Sequence, residues 1–389
     1  MGMTIAGIIA EYNPFHNGHA WHIACTRAAG CDRVVVCMAG HFTQRGEAAI
    51  LSKWDRARMA LACGADAVFE LPTVFAVRTA DAFARGGVGV MDGLGVDVLS
   101  FGSEIADIKQ LEVLATLRDD EPEAVSGAIA HKLDAGMSHA RAWGEAAGEY
   151  LGIQPETLNL PNAVLAVEYL RAMGASGSRM TPLAVPRQGD YHGDGMGAFA
   201  SAGAIRAAFA RGDVDVALEA IPEAARPWAK PDVLHPMDDM LLYRLRQMPL
   251  EALAALPDVG EGLEHRLHRL CREASGREAL LDGLKCKRYT RARLSRMLTH
   301  ALLGIDRAAL AAIPAPTCAR LIGIRRGSED LLGELEARSK LPIASSAASL
   351  RGDPCFEWEC RATDIWSLLH DDPQLRAAGR EYTERFVVE

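Results

Sequence analysis

The first hundred residues alternate between short apolar runs and stretches in which apolar residues recur at helical spacing. The runs are rich in β-branched side chains and end at turn residues, as strands that are buried on both faces do. They cover residues 5–9, 34–38, 67–71 and 97–101. Between the second and third runs, Ser52 can cap a helix that Gly64 ends. This alternation is typical of βαβ units and predicts an α/β fold with a doubly wound parallel sheet.

The pattern changes further along the chain. Residues 106–150 have helical character and predict a helical insertion on the sheet, which a helix at 163–173 and a strand at 181–186 follow. The composition then shifts to alanine, leucine and acidic residues that prolines interrupt. We therefore expect a nucleotide-binding domain over residues 1–212 and a mainly helical domain over residues 213–389.

The C-terminal domain also contains a short β-α-β-like pattern. It consists of a strand at 319–324, a helix at 330–339 and a second strand at 341–343. A closing helix is expected to begin at Ala362.

Candidate chemistry follows the first apolar run. An Asn-Pro turn signal leads into His16-Asn17-Gly18-His19 at the start of a helix. A helix N-terminus attracts phosphate through free N–H groups and its dipole, and Gly18 allows close approach. Two histidines three positions apart share one face of the first turn and can donate to phosphate while charge develops at phosphorus. The stretch predicts a nucleoside triphosphate site with His16 and His19 as catalytic residues.

Other polar residues are expected beside these histidines. Glu11 and Asn13 stand between the first strand and the histidines, and His41, Gln44 and Arg45 follow the second strand. The carboxyl ends of parallel strands meet at one edge of the sheet, so all five residues are expected to border the same crevice.

Composition narrows the class of protein. No apolar run has the length of a membrane span and no basic-plus-apolar leader is seen, so we expect a cytosolic protein. Nine cysteines form no Cys-x-x-Cys pair, which predicts reduced thiols and no metal site. The net charge of -9 disfavours a generic nucleic-acid binder but leaves room for a local basic surface.

Such a local basic surface is expected between Lys285 and Arg296, a window with six cations and no acid. Apolar residues at helical spacing after Leu294 should face the core, so Tyr289, Arg293 and Arg296 should share an outward face. Cations with an aromatic ring can hold phosphates and stack a base. The alternative is a solvated helix face that pairs with nearby acids.

The motifs carry a family resemblance. H-N-G-H resembles the H-x-G-H signature of the nucleotidyltransferase superfamily, which transfers adenylate from ATP on a doubly wound sheet. The longer string E-Y-N-P-F-H-N-G-H (11–19), with Q-R-G-E (44–47) and S-K-W (52–54), resembles the bacterial tRNA(Met) cytidine acetate ligase family. The likeness spans nearly the whole chain. It implies an enzyme that activates acetate with ATP and transfers the acetyl group to the exocyclic amine of the wobble cytidine of elongator tRNA(Met).

The same resemblance implies which residues bind ATP. Gly102 would lie in an S-F-G-S turn, Asn162 at a Pro-Asn step and Arg187 at the end of a strand, where a guanidinium can clamp phosphate. The implied ATP-binding residues are Ile9, Ala10, Glu11, Tyr12, Asn13, Pro14, Phe15, His16, Asn17, Gly18, His19, Gly102, Asn162, Arg187, Ser201 and Arg206.

Ser201 and Arg206 belong to S-A-G-A-I-R, which resembles the superfamily's second signature, S-S/A-T-x-I-R. Gly203 stands where that signature has threonine, so one hydroxyl donor to the triphosphate is missing while the backbone amides remain. Mg²⁺ is expected as the companion of ATP.

The basic segment matches the family's K-R-Y-T-R-A-R. The resemblance therefore assigns tRNA binding to Lys287, Arg288, Tyr289, Arg291, Arg293 and Arg296. Two alternatives stay open: an adenylyltransferase that acts on a small metabolite, and a non-catalytic, nucleotide-gated RNA-binding protein. ATP consumption without RNA separates these two from each other, and dependence on tRNA(Met) separates the first from the ligase.

Overall fold

A mostly parallel sheet forms the centre of the fold. The computed structural model describes residues 2–187, 197–232, 237–286, 288–370 and 372–389. Within these ranges the strands are β1 (Ile5–Ala10), β2 (Arg33–Ala39), β3 (Ala67–Leu71), β4 (Val98–Ser103), β5 (Thr181–Pro186), β6 (Ala319–Ile324), β7 (Ile343–Ala344) and β8 (Val387–Val388).

The order of the strands is β5-β4-β1-β2-β3-β6-β7, and β8 pairs with β6. Neighbours among β1 to β5 are parallel. The chain builds β2 and β3 on one side of β1 and then returns to build β4 and β5 on the other side. This order confirms the doubly wound sheet and places its switch point between β1 and β4, where ligands bind in such folds.

Helices cover the sheet. In the described ranges the α-helices are α1 (Asn17–Ala28), α2 (Lys53–Ala62), α3 (Thr73–Ala76), α4 (Ala80–Leu94), α5 (Ile108–Asp119), α6 (Glu123–Asp134), α7 (His139–Leu151), α8 (Pro155–Leu158), α9 (Pro161–Ser176), α10 (Ala202–Arg211), α11 (Val214–Glu219), α12 (Asp238–Gln247), α13 (Leu250–Ala254), α14 (Leu263–Glu273), α15 (Arg277–Leu284), α16 (Arg291–Leu303), α17 (Arg307–Ala311), α18 (Glu329–Arg338), α19 (Pro354–Ser367) and α20 (Arg380–Thr383). Short 3-10 helices occupy Glu223–Trp228, Ala347–Leu350 and Pro373–Arg376. Helices α5 to α7 occupy the stretch at 106–150 in which the sequence predicts a helical insertion.

The apolar runs are explained by a core on each face of the sheet. In β1, Ile5 and Ile9 enter one core while Ile8 enters the other. Phe83 of α4 belongs to the first core and Trp54 of α2 to the second. Strands that are covered on both faces contain apolar residues at consecutive positions, which is the pattern seen in the sequence.

The closing helix begins earlier than predicted. It starts at Pro354 rather than Ala362, because Asp353 accepts a hydrogen bond from the Phe356 amide at 3.0 Å and caps the helix. Proline is favourable at the first position of a helix. The polar residues Glu357 and Glu359 interrupt the apolar pattern, so the sequence does not indicate this start.

The C-terminal strands join the sheet of the N-terminal part. The β-α-β pattern is confirmed as β6, α18 and β7, but β6 pairs antiparallel with β3. β8 then pairs with the other side of β6. The last seventy residues therefore extend the central sheet by three strands.

A buried cluster of charged side chains fastens α2 to this C-terminal segment. Lys53, at the start of α2, pairs with Glu70 of β3 and lies 2.6 Å from Glu381 of α20. Arg320 of β6 pairs with the same two carboxylates, and Glu359 of α19 lies 4.0 Å from the Lys53 ammonium. These five side chains are at most 11% exposed. Lys53 of the S-K-W motif therefore has a structural role.

The protonation state of Glu359 determines the net charge of the cluster. Burial and the neighbouring Glu70 carboxylate raise the pKa of Glu359 well above its ordinary value. The raised pKa favours the protonated form of Glu359, which shares a hydrogen bond with Glu70. The two positive charges of Lys53 and Arg320 then match the two negative charges of Glu70 and Glu381.

The turn after β2 is docked on α16. Gly46 has a φ of +69°, and a Cβ there would lie 2.5 Å from the backbone nitrogen of Arg296, so the turn requires glycine. The Gly46 carbonyl accepts hydrogen bonds from the Thr299 hydroxyl at 2.8 Å and from the Arg277 guanidinium at 2.9 Å. These contacts hold α16 against the loop at the carboxyl end of β2.

Candidate active site

A crevice of about 460 Å³ opens at the carboxyl ends of β1, β4 and β5. It lies at the switch point of the sheet and has a volume typical of small-molecule sites. Most of the residues predicted to bind ATP line it. They are Ile9, Ala10, Glu11, Tyr12, Asn13, His16, Gly18, His19, Gly102, Asn162, Arg187, Ser201 and Arg206.

Three residues predicted to bind ATP do not line the crevice: Pro14, Phe15 and Asn17. Phe15 is fully buried with its ring 4.8 Å from that of Tyr12. The side chain of Asn17 donates to the Ala198 carbonyl at 2.7 Å. These contacts hold the turn between β1 and α1 in shape, so Phe15 and Asn17 support the site from behind.

His16 and His19 form a reciprocal cap at the start of α1. Nδ1 of His16 accepts a hydrogen bond from the Gly18 amide at 3.1 Å, and Nδ1 of His19 accepts one from the His16 amide at 3.2 Å. The two rings stack with their centroids 3.7 Å apart. A Cβ at position 18 would lie 2.9 Å from the His16 ring, so the arrangement requires Gly18.

Both rings are neutral hydrogen-bond donors. A ring nitrogen that accepts a hydrogen bond carries no proton, so each neutral imidazole is protonated at Nε2. Burial and the nearby Arg187 lower the pKa of His16 to about 3. Burial and the His16 ring lower the pKa of His19 well below its ordinary value. At neutral pH the pair can therefore offer Nε2–H groups to a phosphate.

Glu104, directly after β4, holds two of the predicted ligands in place. Its carboxylate accepts hydrogen bonds from the Asn162 side chain at 2.7 Å and from the Ala163 amide at 2.8 Å. It also lies 3.5 Å from the Arg187 guanidinium. The sequence did not reveal Glu104, because its partners are distant in the chain and no local pattern marks it.

The start of α10 forms a second side of the crevice at which an anion can bind. The Ser201 hydroxyl caps the helix by accepting from the Ala204 amide at 3.1 Å. Arg206 donates to the Asn13 carbonyl at 2.8 Å and pairs with Glu47 at 3.1 Å. The start of α10 is thereby tied to the turn before α1, and the N-termini of both helices border one crevice.

The missing hydroxyl at position 203 can be restored. A Cβ on Gly203 would meet the Ser201 hydroxyl at 3.7 Å, an ordinary contact, so a larger residue fits. We expect Gly203→Ser to lower the KM for ATP by about tenfold, since a hydrogen bond to a charged group contributes roughly 1.5 kcal/mol or more. The measurement is the dependence of ATP–pyrophosphate exchange on the concentration of ATP.

Gly203→Ala is the matched control for this substitution. Alanine and serine both favour the helix over glycine, but alanine brings no hydroxyl. Equal KM values for the two variants would contradict a phosphate contact at this position.

Glu11 brings a carboxylate into the crevice. Its Oε1 accepts a hydrogen bond from the Gln44 amide at 2.5 Å. Burial raises the pKa of Glu11 above its ordinary value, although the Gln44 amide, Arg45 and Arg206 all favour the charged form. The carboxylate is thus fixed in position at the base of the histidine turn.

Two aromatic rings at the crevice were not predicted. Trp21 of α1 and Phe199, just before α10, both line it, and each is 40% exposed. Exposed rings beside a nucleotide site offer flat surfaces on which a base can stack. The position of Trp21 two residues after His19 was the signal that could have identified it.

His41 lies away from the crevice, so its expected place there is wrong. It is fully buried, its ring stacks 4.2 Å from that of Trp366, and its Nδ1 lies 2.9 Å from the Thr363 hydroxyl. The loop turns inward at His41 and reaches the crevice only at Gln44 and Arg45.

The basic segment is less exposed than predicted. Lys287 lies outside the described residues. Tyr289 is buried, its hydroxyl donates to the Gly260 carbonyl at 3.0 Å, and the Arg293 guanidinium covers its ring at 4.7 Å. The Arg296 side chain is 12% exposed. The predicted outward face is therefore wrong for Tyr289, which supports Arg293 from within.

Two exposed cations of the segment, Arg288 and Arg291, are paired with acids. Arg288 lies 3.0 Å from Glu261, and Arg291 pairs with Glu278 and lies 2.9 Å from Asp282. This part of the segment matches the alternative of a solvated face with nearby acids.

In the described part of the chain, no cluster of three histidine, cysteine or acidic side chains is placed to hold one metal ion. None of the helices in the described ranges combines the length and apolar character that a membrane crossing requires.

Comparison with known proteins gives a consistent set of relatives. The family model described as HIGH Nucleotidyl Transferase matches residues 3–381. The tRNA(Met) cytidine acetate ligase of Syntrophotalea carbinolica is 40% identical over 361 residues, which cover 90% of this chain and 86% of the relative. The tRNA(Met) cytidine acetate ligase of Bacillus subtilis is 34% identical over 393 residues, which cover 95% and 94% of the two chains.

The fold also has a solved counterpart. Thermotoga maritima TmcAL bound with alpha-thio ATP matches with a TM-score of 0.90 and 28% sequence identity, over 99% of both chains. The apo form of the same protein matches with a TM-score of 0.91.

Proposed function

Because the chain belongs to the HIGH nucleotidyltransferase family and, within it, to the tRNA(Met) cytidine acetate ligases, we propose that it is an ATP-dependent, tRNA-modifying ligase. It activates acetate as acetyl-adenylate and then acetylates the exocyclic amine of the wobble cytidine of elongator tRNA(Met). AMP and pyrophosphate are released. The observation that carries the proposal is the neutral histidine pair at a helix N-terminus inside the crevice.

The first step needs placement and charge stabilisation. Acetate is already a nucleophile at neutral pH, so no general base is required. A carboxylate oxygen bonds to the α-phosphorus while the bond to the bridging oxygen breaks and pyrophosphate leaves. His16 and His19 can donate to the oxygens on which charge grows, and Arg187 and Arg206 can bind the remaining phosphates.

The second step takes place on the acetyl group. The exocyclic nitrogen of the cytidine attacks the acetyl carbonyl, an N–C bond forms, and the bond from carbon to the AMP oxygen breaks. The amine loses one proton. The base must leave the anticodon stack to reach the crevice, where Trp21 and Phe199 offer stacking surfaces.

Mg²⁺ fits this crevice as a companion of ATP. It is commonly held by substrate phosphates with one or two carboxylates rather than by a cage of side chains. Glu11 supplies a carboxylate that lines the crevice and would be the residue to hold it. The ion would neutralise charge on the triphosphate.

The two alternatives have less support. An adenylyltransferase for a small metabolite leaves the C-terminal helices without a role, and relatives with the ligase name cover nearly the whole chain. A non-catalytic binding protein has no need for the neutral histidine pair.

The test is incubation of the protein with ATP, labelled acetate and unmodified tRNA(Met) transcripts that carry cytidine or uridine at the wobble position. We expect label only in the cytidine transcript, with AMP and pyrophosphate as products. Formation of AMP and pyrophosphate without labelled RNA would overturn the assignment of tRNA as the acceptor. Absence of ATP turnover by folded protein would overturn the assignment as an enzyme.

A further inference from the structure

Four arginines gather where α4 meets α16. Arg78 and Arg85 flank the start of α4, and Arg293 and Arg296 stand on α16; we call these four residues the seam arginines. His300 of α16 lies 2.6 Å from the carbonyl oxygen of Val77, the residue before Arg78, so the two segments are in contact. Charge interactions connect Arg78 with Arg85 and Arg296, and Arg296 with Arg293. Two separate segments of the chain thus bring like charges together.

The seam has more cations than acids. Asp81 pairs with Arg85 at 3.1 Å, and Asp258 is shared between Arg293 at 3.7 Å and Arg296 at 3.9 Å. Among the described residues, four guanidinium groups share these two carboxylates. The result is a local surplus of positive charge on a chain whose net charge is -9.

The seam begins at the crevice. Arg296 Nη1 lies 3.5 Å from the carbonyl oxygen of Gln44, and Gln44 lines the crevice together with the exposed Arg45. Phe83, which stands on α4 two residues before Arg85, lines the crevice as well. An RNA strand that inserts a base into the crevice would therefore lay its adjoining phosphates along the seam.

The distal part of the basic segment differs in charge. Arg288 pairs with Glu261, and Arg291 pairs with Asp282 and with Glu278, a carboxylate that Arg277 shares. A cation gains affinity for RNA by releasing the counterions of a phosphate, and a cation that is already paired must first give up its own acid.

We propose that the seam arginines, rather than Arg288 and Arg291, bind the phosphates of the tRNA loop that presents the cytidine. The proposal rests on the proposed function, since that function supplies tRNA as the acceptor. Tyr289 then has the role of holding Arg293 in place through its ring.

The test is binding of an unmodified tRNA(Met) transcript at several salt concentrations. Arg85→Gln alters an exposed residue, and the double variant Arg78→Gln/Arg85→Gln removes both seam arginines near the start of α4. Each lost contact should lower the slope of log K against log salt by about 0.7 and weaken binding about fivefold at 0.1 M salt. Asp81→Asn should strengthen binding, a result that damage to the fold does not produce.

Arg288→Gln is the matched control, because Arg288 is 76% exposed and belongs to the same basic segment. It should leave both the affinity and the slope unchanged. The proposal is overturned if the α4 variants keep the wild-type slope, if Arg288→Gln lowers it equally, or if wild-type protein binds no tRNA. Acetate-dependent ATP–pyrophosphate exchange without RNA should be the same in all variants, and its absence in wild type would overturn the proposed function while the binding titration still decides the seam.

Discussion

His16→Ala should lower the rate of acetate-dependent ATP–pyrophosphate exchange by about 10²–10³-fold. This is the loss expected when one preorganised donor is removed from a developing charge. His16 is suited to that role because its Nδ1 is occupied by the Gly18 amide, and its lowered pKa keeps the ring neutral with a proton on Nε2. The measurement is incorporation of labelled pyrophosphate into ATP with acetate present and RNA absent.

His16→Asn separates donation from helix capping. Asparagine is a favourable N-cap residue and can accept from the Gly18 amide, but its shorter side chain does not place a donor where Nε2 stands. We expect this variant to keep a thermal midpoint close to that of wild type and to exchange as slowly as His16→Ala. Wild-type exchange in His16→Asn would show that the residue acts only as a cap.

Lys53→Met should lower the free energy of unfolding by about 3–5 kcal/mol, the usual cost of removing one partner from a buried ion pair. The substitution leaves Glu70 and Glu381 with Arg320 as their remaining cation in the cluster. Urea denaturation followed by circular dichroism measures the change. Lys340→Met, at an ion pair that is 75% exposed on the lysine side, should leave the midpoint nearly unchanged.

In the same cluster, Glu359→Gln should raise the free energy of unfolding relative to that of wild type as the pH rises. A carboxyl group with a raised folded-state pKa stabilises the protein fully below its ordinary value of 4.5, and that contribution is lost as the pH rises toward the folded-state pKa. Glutamine has no such proton to lose. Wild type should therefore lose stability relative to Glu359→Gln as the pH rises above the ordinary value of 4.5, and a wild type that gains stability over this range would contradict a raised pKa of Glu359.

The sequence predicts the strands and the histidine part of the site because the residues that mark them lie close together in the chain. Ile5, Ile8 and Ile9 mark a strand within a few residues of the histidine pair, and the pair itself lies within one helical turn. The parallel order then places Gly102 and Arg187 beside them, since the carboxyl ends of neighbouring strands meet.

The remaining parts depend on contacts between distant residues. Glu104 acts on Asn162 at a separation of 58 residues, and Lys53 meets Glu381 across most of the chain. The burial of Tyr289 depends on the Gly260 carbonyl, which no helical periodicity near residue 289 can indicate. Periodicity shows which side of a helix is apolar, but not which loop covers its other side.

The antiparallel pairing of β3 with β6 has a consequence for synthesis of the chain. Val68 pairs with Gly323, so β3 emerges from the ribosome long before the strand that covers its edge. At common translation rates this interval lasts on the order of 10 s or more, during which an apolar strand has unpaired backbone groups. Such an edge pairs readily with other chains. A nascent chain that stalls before residue 319 is therefore prone to aggregate, and the speed of translation over the C-terminal half sets how long that exposure lasts.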